Sequence, residues 1–210
     1  MKALVKFSEG RKGMGIQEVP EPHPGNGQIK IKVDAAGICG SDIHSMNDER
    51  KTVLPVILGH EFVGQVCEIG DDVTDFQTGD WVVALPAVGG CGQCVYCKNG
   101  EYTLCDHRAS IGTHMAGAMA EYLVIPASFA FHVPDNVKDK RIMAIAEPLS
   151  CATRGIMERI NVRPGDIAVV SGPGIFGLLS LQLLKLRGAR IVVSGLSKDA
   201  ERLALAKELG

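Results

Sequence analysis

The sequence predicts a mostly antiparallel β domain followed by the beginning of a parallel α/β domain, and two observations predict this order. In the first part of the chain, "QIKIKVDA" at 28–35 alternates apolar and polar residues, which is typical of a strand with one buried face. In the last part, "DIAVVS" at 166–171 is a short β-branched run, and a glycine-rich turn and a long apolar segment follow it. We place the two domains at residues 1–150 and 151–210.

Composition and charge limit the partners that the protein can have. The chain has 210 residues, 46% of them hydrophobic, and a net charge of −2, with no cluster of lysine and arginine. A small molecule is therefore expected as the partner, and neither a nucleic acid nor a membrane is. The N-terminus lacks the apolar core of a signal peptide, and no apolar run is long enough to span a bilayer. We expect a cytoplasmic protein.

Short strands and glycine-containing loops are predicted to continue through the first domain. The apolar runs "WVVAL" at 81–85 and "YLVIP" at 122–126 have the length and composition of strands. Residues 137–160 are instead predicted to form helices that join the two domains. Within that segment, Cys151 is expected to be a small buried residue. The alternative is that it replaces Glu147, one helical turn away, as a zinc ligand.

Four of the seven cysteines follow the pattern C-x2-C-x2-C-x7-C and are Cys91, Cys94, Cys97 and Cys105. An odd number of cysteines without a secretion signal favours free thiols over a disulfide framework. Four thiolates form a closed tetrahedral shell for zinc, and the neighbouring glycines allow the turns that bring the sulfur atoms together. Because a closed shell leaves no position for water or substrate, this zinc is predicted to be structural rather than catalytic.

Three other segments contain residues that suit a catalytic zinc: "GICGSDIH" at 37–44, "GHEFVG" at 59–64 and "AEPLSC" at 146–151. The candidates within them are Cys39, His60, Glu61 and Glu147. Cysteine, histidine and carboxylate groups all ligate zinc, and three protein ligands leave one position open for exchangeable water. Taken alone, each residue also has an ordinary explanation as a buried thiol, a hydrogen-bonded core histidine or a carboxylate at the start of a helix.

The segment "GPGIFG" after the first predicted α/β strand satisfies the pattern G-x-G-x-x-G. It follows a strand and opens a helix, and in this context the pattern binds a dinucleotide. Gly172 permits the tight turn, Gly174 lets the backbone approach a pyrophosphate, and Gly177 allows close packing of the helix. Ile175 and Phe176 lie in the same turn, so all five residues are predicted to contact the cofactor.

A longer stretch, "GHEFVGQVCEIGDDV" at 59–73, is followed in order by "GDWV" at 79–82, the four cysteines, "AEYLVIP" at 120–126 and the glycine-rich turn. In these motifs, along essentially its whole length, the chain resembles the zinc-dependent medium-chain alcohol and polyol dehydrogenases. The resemblance implies a GroES-like partial β-barrel as the catalytic domain and a Rossmann domain that binds NAD or NADP.

The resemblance also implies roles for individual residues. Cys39, His60 and Glu147 are implied as ligands of the catalytic zinc, with Glu61 beside it as an alternate ligand or as the neighbour of a ligand. With a glutamate at position 147, the chain resembles the sorbitol and polyol branch of the family.

A proton relay is implied for Ser41 and His44. A hydroxyl and an imidazole suit this role because histidine titrates near neutral pH and can carry a proton out of a water-poor pocket. Asp42 lies between them in the sequence. It is predicted either to orient a ligand histidine or to be an ordinary polar residue of the surface.

The second strand of the α/β part, "RIVVSG" at 190–195, lacks the acidic residue that binds the ribose hydroxyls in NAD enzymes. Ser197, Lys198 and Arg202 follow this strand and could receive the 2′-phosphate of NADP, so NADP is favoured over NAD. Alternatively, Lys198 and Arg202 are solvated residues of the next helix.

The predicted function is hydride transfer between a secondary alcohol, such as a polyol or sugar alcohol, and a nicotinamide cofactor. The alternative is a non-catalytic, zinc-stabilised binding or structural module. Zinc-free quinone reductases of the same superfamily are disfavoured by the intact set of ligands. Because the chain ends after one strand-helix-strand-helix unit, we expect a fragment, inactive alone, of a longer homo-oligomeric enzyme, with an exposed sheet edge and apolar patch.

Overall fold

A computed structural model describes all residues from 1 to 210 and divides them into two compact units, Met1–Glu147 and Pro148–Gly210. The domain limits 1–150 and 151–210 stay a prediction. Each unit has its own secondary structure. None of the helices has the length and apolar character of a membrane span.

The first unit consists mainly of short strands. The strands are β1 (Lys2–Lys6), β2 (Met14–Glu18), β3 (Gln28–Ala36), β4 (Val56–Ile57), β5 (Phe62–Ile69), β6 (Trp81–Ala84), β7 (Ala87–Val88), β8 (Ala109–Ser110), β9 (Tyr122–Pro126) and β10 (Ala130–His132). The helices are α1 (Gly40–Met46) and α2 (Val95–Lys98), with 3-10 turns at Arg11–Gly13, Tyr102–Leu104, Ala127–Phe129 and Lys140–Ile145. The three strands predicted for this part of the chain correspond to β3, β6 and β9.

Antiparallel pairing organises the first unit. A five-stranded sheet has the order β10-β6-β5-β3-β9, a second sheet has the order β2-β1-β4, and β7 pairs with β8. The alternation in β3 buries Ile29 and Ile31 against Leu123 and Ile125 of the neighbouring strand β9. Two register shifts interrupt the pairing of β3 with β5. The core lies against this sheet and includes Phe62 and Val66 of β5 and Val82 of β6.

The second unit has the α/β order that the sequence predicts. Its elements are α3 (Ala146–Thr153, which begins at the end of the first unit), a π-helix (Arg154–Arg159), β11 (Ile167–Ser171), α4 (Ile175–Leu186), β12 (Arg190–Ser194), a 3-10 turn (Ser197–Asp199) and α5 (Ala200–Leu209). Strands β11 and β12 are parallel, with Ile167 opposite Arg190. Helix α4 connects them and buries Leu181 and Leu184.

Several apolar side chains of the second unit are exposed. Strand β11 pairs only with β12. Ile167, Val169 and Val192 are 68%, 69% and 54% exposed. The expectation that Cys151 is buried is wrong, because this residue lies on the exposed side of α3.

Candidate functional site

Cys39 is positioned by the start of helix α1. It is the N-cap residue and has an extended backbone, so its thiol lies at the mouth of the helix rather than along its side. The backbone N–H of Cys39 donates a hydrogen bond of 2.9 Å to Oδ2 of Asp42. Asp42 is 6% exposed. The same aspartate therefore caps the helix and fixes the backbone that carries the cysteine.

His60 and Glu61 are positioned by a glycine that immediately precedes them. Gly59 has φ of +94°, and a Cβ at this position would lie 2.6 Å from Cγ of Met119, so both conformation and space favour glycine. Its N–H donates to Oδ1 of Asp42 across 3.3 Å. Asp42 thus connects the segment of Cys39 with the segment of His60 and Glu61.

Cys39, His60 and Glu61 converge at this point. One ligand atom of each residue, namely a sulfur, a ring nitrogen and a carboxylate oxygen, lies within 4.8 Å of the other two. Glu61 is 7% exposed. Nδ1 of His60 lies 3.7 Å from Oδ1 of Asp42, and this carboxylate can hold the ring so that Nε2 is presented to a metal.

Electrostatics show that this cluster fits a cation. Burial raises the pKa of the Cys39 thiol, and hydrogen bonds from Ser41 partly oppose that rise. Burial likewise raises the pKa of the Glu61 carboxyl. A half-buried thiol and a buried carboxyl are costly to ionise side by side, and a divalent ion removes that cost when they become its ligands. The sulfur, nitrogen and oxygen donors are those that suit zinc.

A cavity of about 330 Å³ lies beside this cluster. Its lining residues are Ser41, Arg50, His60, Pro86, Ala87, Thr103, Arg108, Ser110, Ile111 and Glu147. Glu147 belongs to this wall and lies outside the group formed by Cys39, His60 and Glu61. Of the two glutamates, Glu61, for which the resemblance implies only an alternate role, therefore lies closer to Cys39 and His60.

Of the two predicted relay residues, Ser41 lines the cavity and His44 lies on the exposed side of α1. Oγ of Ser41 lies 3.4 Å from Nε2 of His60. Nδ1 of His44 lies 2.5 Å from Oε2 of Glu49, and the His44 side chain is 60% exposed. No hydrogen bond joins Ser41 to His44. Glu49 was not identified from the sequence, because its role depends on the turn that follows α1.

The four clustered cysteines form a second group, with their sulfur atoms within 4.8 Å of one another. Backbone N–H groups point at the thiols: Cys91 Sγ accepts from Cys94 at 3.3 Å and Cys105 Sγ accepts from Cys91 at 3.4 Å. Hydrogen bonds from Gln93 and Cys94 lower the pKa of the Cys91 thiol to about 6. Desolvation raises the pKa of Cys97. Such a group is suited to bind one zinc through four thiolates.

The glycine-rich turn joins β11 to α4. Gly172 has φ of +96°, and Gly174 is the N-cap of α4, with no atom within 4 Å of where its Cβ would lie. A Cβ on Gly177 would collide with the carbonyl oxygen of Gly172. Ile175 and Phe176 open the helix and are 54% and 52% exposed. The turn thus leaves backbone N–H groups accessible at the N-terminus of a twelve-residue helix.

The turn after β12 and the start of α5 contain the residues predicted to discriminate between cofactors. Ser197 and Lys198 lie in the 3-10 turn that leads into α5. Asp199 accepts a hydrogen bond of 3.0 Å from the N–H of Leu196. Nη1 of Arg202 lies 3.7 Å from Oδ1 of Asp199. Arg202 is therefore held next to the loop, although one side of its guanidinium faces an acid.

Comparison with known proteins identifies relatives of the whole chain. It is 43% identical over 210 residues to a sorbitol dehydrogenase of Halalkalibacterium halodurans, covering 100% of this chain and 61% of the relative. It is 39% identical over 211 residues to a D-arabitol-phosphate dehydrogenase of Enterococcus avium, covering 100% and 60%. The chain thus spans about three fifths of the length of these curated relatives.

A solved structure and a family match agree with these relatives. A Sinorhizobium meliloti 1021 protein classed as a zinc-binding dehydrogenase and bound to NADP has a TM-score of 0.91 and 36% identity, covering 100% of this chain and 59% of its own. The predicted fold class is thereby confirmed. Residues 25–135, just over half of the chain, match the alcohol dehydrogenase GroES-like domain. The chain belongs to the family of alcohol dehydrogenase GroES-like domains.

Proposed function

We propose that the protein is a zinc-dependent oxidoreductase that transfers hydride between a secondary alcohol and a nicotinamide cofactor. The observation that carries this proposal is the convergence of Cys39, His60 and Glu61 within 4.8 Å of one another, next to a cavity of about 330 Å³. The substrate class is a polyol, a sugar alcohol or a similar hydroxy compound and its ketone. Sorbitol and D-arabitol phosphate, which occur in the relatives' names, both have a sugar-alcohol skeleton.

The metal ligands come from the convergent group and the cavity wall. Cys39 and His60 would hold the catalytic zinc with Glu61, Glu147 or both, and that zinc would supply a Lewis acid for the oxygen of the alcohol. The four cysteines would hold a second, structural zinc. The buried carboxylate of Asp42 orients His60 by its position near Nδ1.

Ser41 and His44 move the proton in this proposal. Ser41 lies on the cavity wall, so its hydroxyl can accept the proton of a bound alcohol and pass it on. His44 is exposed, and its Nδ1 lies 2.5 Å from Oε2 of Glu49. Because no hydrogen bond joins Ser41 to His44, the two residues require a bridging hydroxyl from substrate, cofactor or water.

The glycine-rich turn is proposed to hold the pyrophosphate of the cofactor. The open space at Gly174 and the positive φ of Gly172 support this role. Ser197, Lys198 and Arg202 support NADP, whereas the contact of Arg202 with Asp199 supports NAD. Dissociation constants of both cofactors for wild type and Arg202→Gln decide between them, since only a 2′-phosphate contact makes the substitution selective for NADP.

A non-catalytic zinc module is the competing function. The same cavity contains metal donors, a hydroxyl and a carboxylate, which a purely structural module does not need, so we favour catalysis. Homo-oligomerisation stays a prediction from the resemblance.

Metal analysis tests the proposal directly. Elemental analysis of the purified protein should give two zinc ions per chain, and Cys39→Ser should reduce this number to one. In the full-length enzyme the same substitution should abolish NADP reduction by polyols. Cys67→Ser is the matched control, because Cys67 lies outside both groups of donors. Unchanged zinc content in Cys39→Ser would show that the catalytic metal site is wrongly assigned.

A further inference from the structure

Two arginines line the cavity that contains the candidate catalytic residues. Arg50 and Arg108 are distant in sequence, yet both contribute to the wall that holds Ser41, His60 and Glu147. The resemblance assigned no role to either arginine. At about 330 Å³ the cavity is near the lower end of the range for small-molecule sites, so a bound molecule cannot be far from any of its walls.

Arg108 is held in place by the four-cysteine segment. Its Nη1 donates a hydrogen bond of 3.1 Å to the carbonyl oxygen of Cys105, and Cys105 is 0% exposed. The remaining N–H groups of this guanidinium are left for another acceptor, because an arginine has five donors. Arg108 is therefore partly preorganised, which reduces the entropy lost when it binds a ligand.

Arg50 approaches the cavity from the loop between α1 and β4 and is half-buried. The arginines that form ion pairs in this protein are Arg141 and Arg202, whereas neither Arg50 nor Arg108 does. Two arginines, Arg50 half-buried and Arg108 exposed, thus line one small cavity, and neither forms an ion pair with a carboxylate. The one acidic side chain among the lining residues is Glu147, which belongs to the proposed metal site.

The charge of this wall does not match a neutral sugar alcohol. A neutral polyol can be bound by hydroxyl, amide and carboxylate groups, and it does not offset two positive charges. A phosphate or carboxylate does, and it accepts paired N–H bonds from the planar guanidinium groups that make arginine the preferred residue for such anions.

We propose that Arg50 and Arg108 form an anion-binding subsite, and that the substrate is a hydroxy compound that carries a phosphate or carboxylate group. This inference rests on the proposed function, because it assigns the substrate class of the same site. The anionic group lies against the two arginines and the reacting hydroxyl lies towards His60 and Ser41. The arginines are specificity-determining residues and take no part in the hydride transfer.

Calorimetric titration of the zinc-loaded protein tests the subsite without requiring turnover. The probes are sorbitol, sorbitol 6-phosphate and gluconate, which have the same carbon skeleton and differ in the presence and kind of anionic group. We expect at least one anion to bind about tenfold more tightly than sorbitol, which corresponds to about 1.4 kcal/mol. The anion that binds more tightly shows whether the subsite prefers phosphate or carboxylate.

Substitutions of the two arginines test whether these residues cause the preference for anions. Arg50→Gln and Arg108→Gln should each reduce the affinity for the preferred anion about tenfold and leave that for sorbitol unchanged, and Arg50→Lys should lose less because it keeps the charge. Arg141→Gln is the matched control, since Arg141 pairs with Asp34 outside the cavity. Equal affinity for all three probes, no measurable binding of either anion, or anion preference retained without both arginines would overturn the inference.

Failure of the anion-binding inference can be distinguished from failure of the proposed function. Zinc content is measured on the same samples, and polyol oxidation is measured on the full-length enzyme with the same substitutions. If oxidation of sorbitol persists while the preference for anions is absent, only the substrate class is wrong. If anion binding depends on the arginines but no alcohol is oxidised, the proposed function is wrong and the subsite remains.

Discussion

Gly37 donates its backbone N–H to the carbonyl oxygen of Glu61 across 2.7 Å, and the Glu61 side chain occupies the space where a Cβ of residue 37 would lie. That Cβ would be 3.1 Å from Cβ of Glu61 and would overlap its carboxylate. The end of β3 and the start of β5 therefore approach so closely that only glycine fits. This approach directs the Glu61 carboxylate towards Cys39 and His60.

Gly37→Ala is expected to displace Glu61 and weaken the candidate catalytic metal site. A methyl group forced into this packed region should cost about 1–3 kcal/mol in the free energy of unfolding. Zinc titration should show lower affinity at one site, with the four-cysteine site unaffected. Gly40→Ala is the control, because no atom lies within 4 Å of its Cβ position. Equal zinc affinity in both variants would show that Glu61 is not a ligand.

Gly174→Ala and Gly177→Ala are expected to act in different ways. At Gly174 there is space for a methyl group, so unfolding should change by less than about 0.5 kcal/mol, while nucleotide affinity falls about tenfold because the added atom blocks the pyrophosphate. Gly177→Ala should instead destabilise the protein by about 1–3 kcal/mol, since its Cβ collides with the backbone of Gly172. Calorimetric binding and urea unfolding separate the two effects. Undiminished cofactor affinity in Gly174→Ala would contradict the proposed phosphate contact.

In the full-length enzyme, His44→Gln is expected to lower kcat for alcohol oxidation about a hundredfold, because the variant lacks the group that transfers the proton to solvent. Added imidazole should restore part of the activity, which a merely structural defect would not allow. Glu49→Gln should lose less, since the imidazole remains and only its charged partner at 2.5 Å is removed. His23→Gln is the control, because His23 lies on the surface and contacts Glu68. Full activity in His44→Gln would show that the proposed proton relay is wrong.

The pair of Lys30 and Glu68 should make stability depend on pH at the acid end. The hydrogen bond from Lys30 lowers the pKa of Glu68 below 4.5, so this contribution is present above pH 4.5 and is lost as pH falls through the lower folded-state value. The pKa of Lys30 is raised above 10.5, chiefly by its hydrogen bond with Glu21. Its contribution is therefore present below pH 10.5 and is lost only as pH rises through the folded-state value.

Urea unfolding at several pH values checks this dependence. Glu68→Gln should be less stable than wild type between about pH 6 and pH 9, and the difference should shrink as the pH falls below 4.5. Glu9→Gln serves as the control, because Glu9 is exposed and forms no ion pair. A difference that stays constant from neutral to acid pH would mean that the ion pair does not cause it.

Features that depend on residues close together in the sequence could be predicted from it. The alternation in 28–35 predicted β3, and a β-branched run, a glycine-rich turn and an apolar segment predicted β11 and α4 in order. The close spacing of Cys91, Cys94 and Cys97 limits how far apart their sulfur atoms can lie, so the four-cysteine group could also be anticipated. Burial was predicted less well: Cys151 is exposed, because the outward face of α3 is not evident from an apolar segment.

The sequence by itself determined which chemical groups the protein has, where its strands and glycine-rich turns lie, and to which family it is similar, because these depend on local composition and spacing. Only the tertiary structure decided which of two glutamates lies closest to Cys39 and His60, since that depends on the approach of Gly37 to Glu61. It also placed Arg50 and Arg108, which are separated in the chain by strands β4 to β7, around one cavity. Long-range packing, rather than any local pattern, positions these side chains.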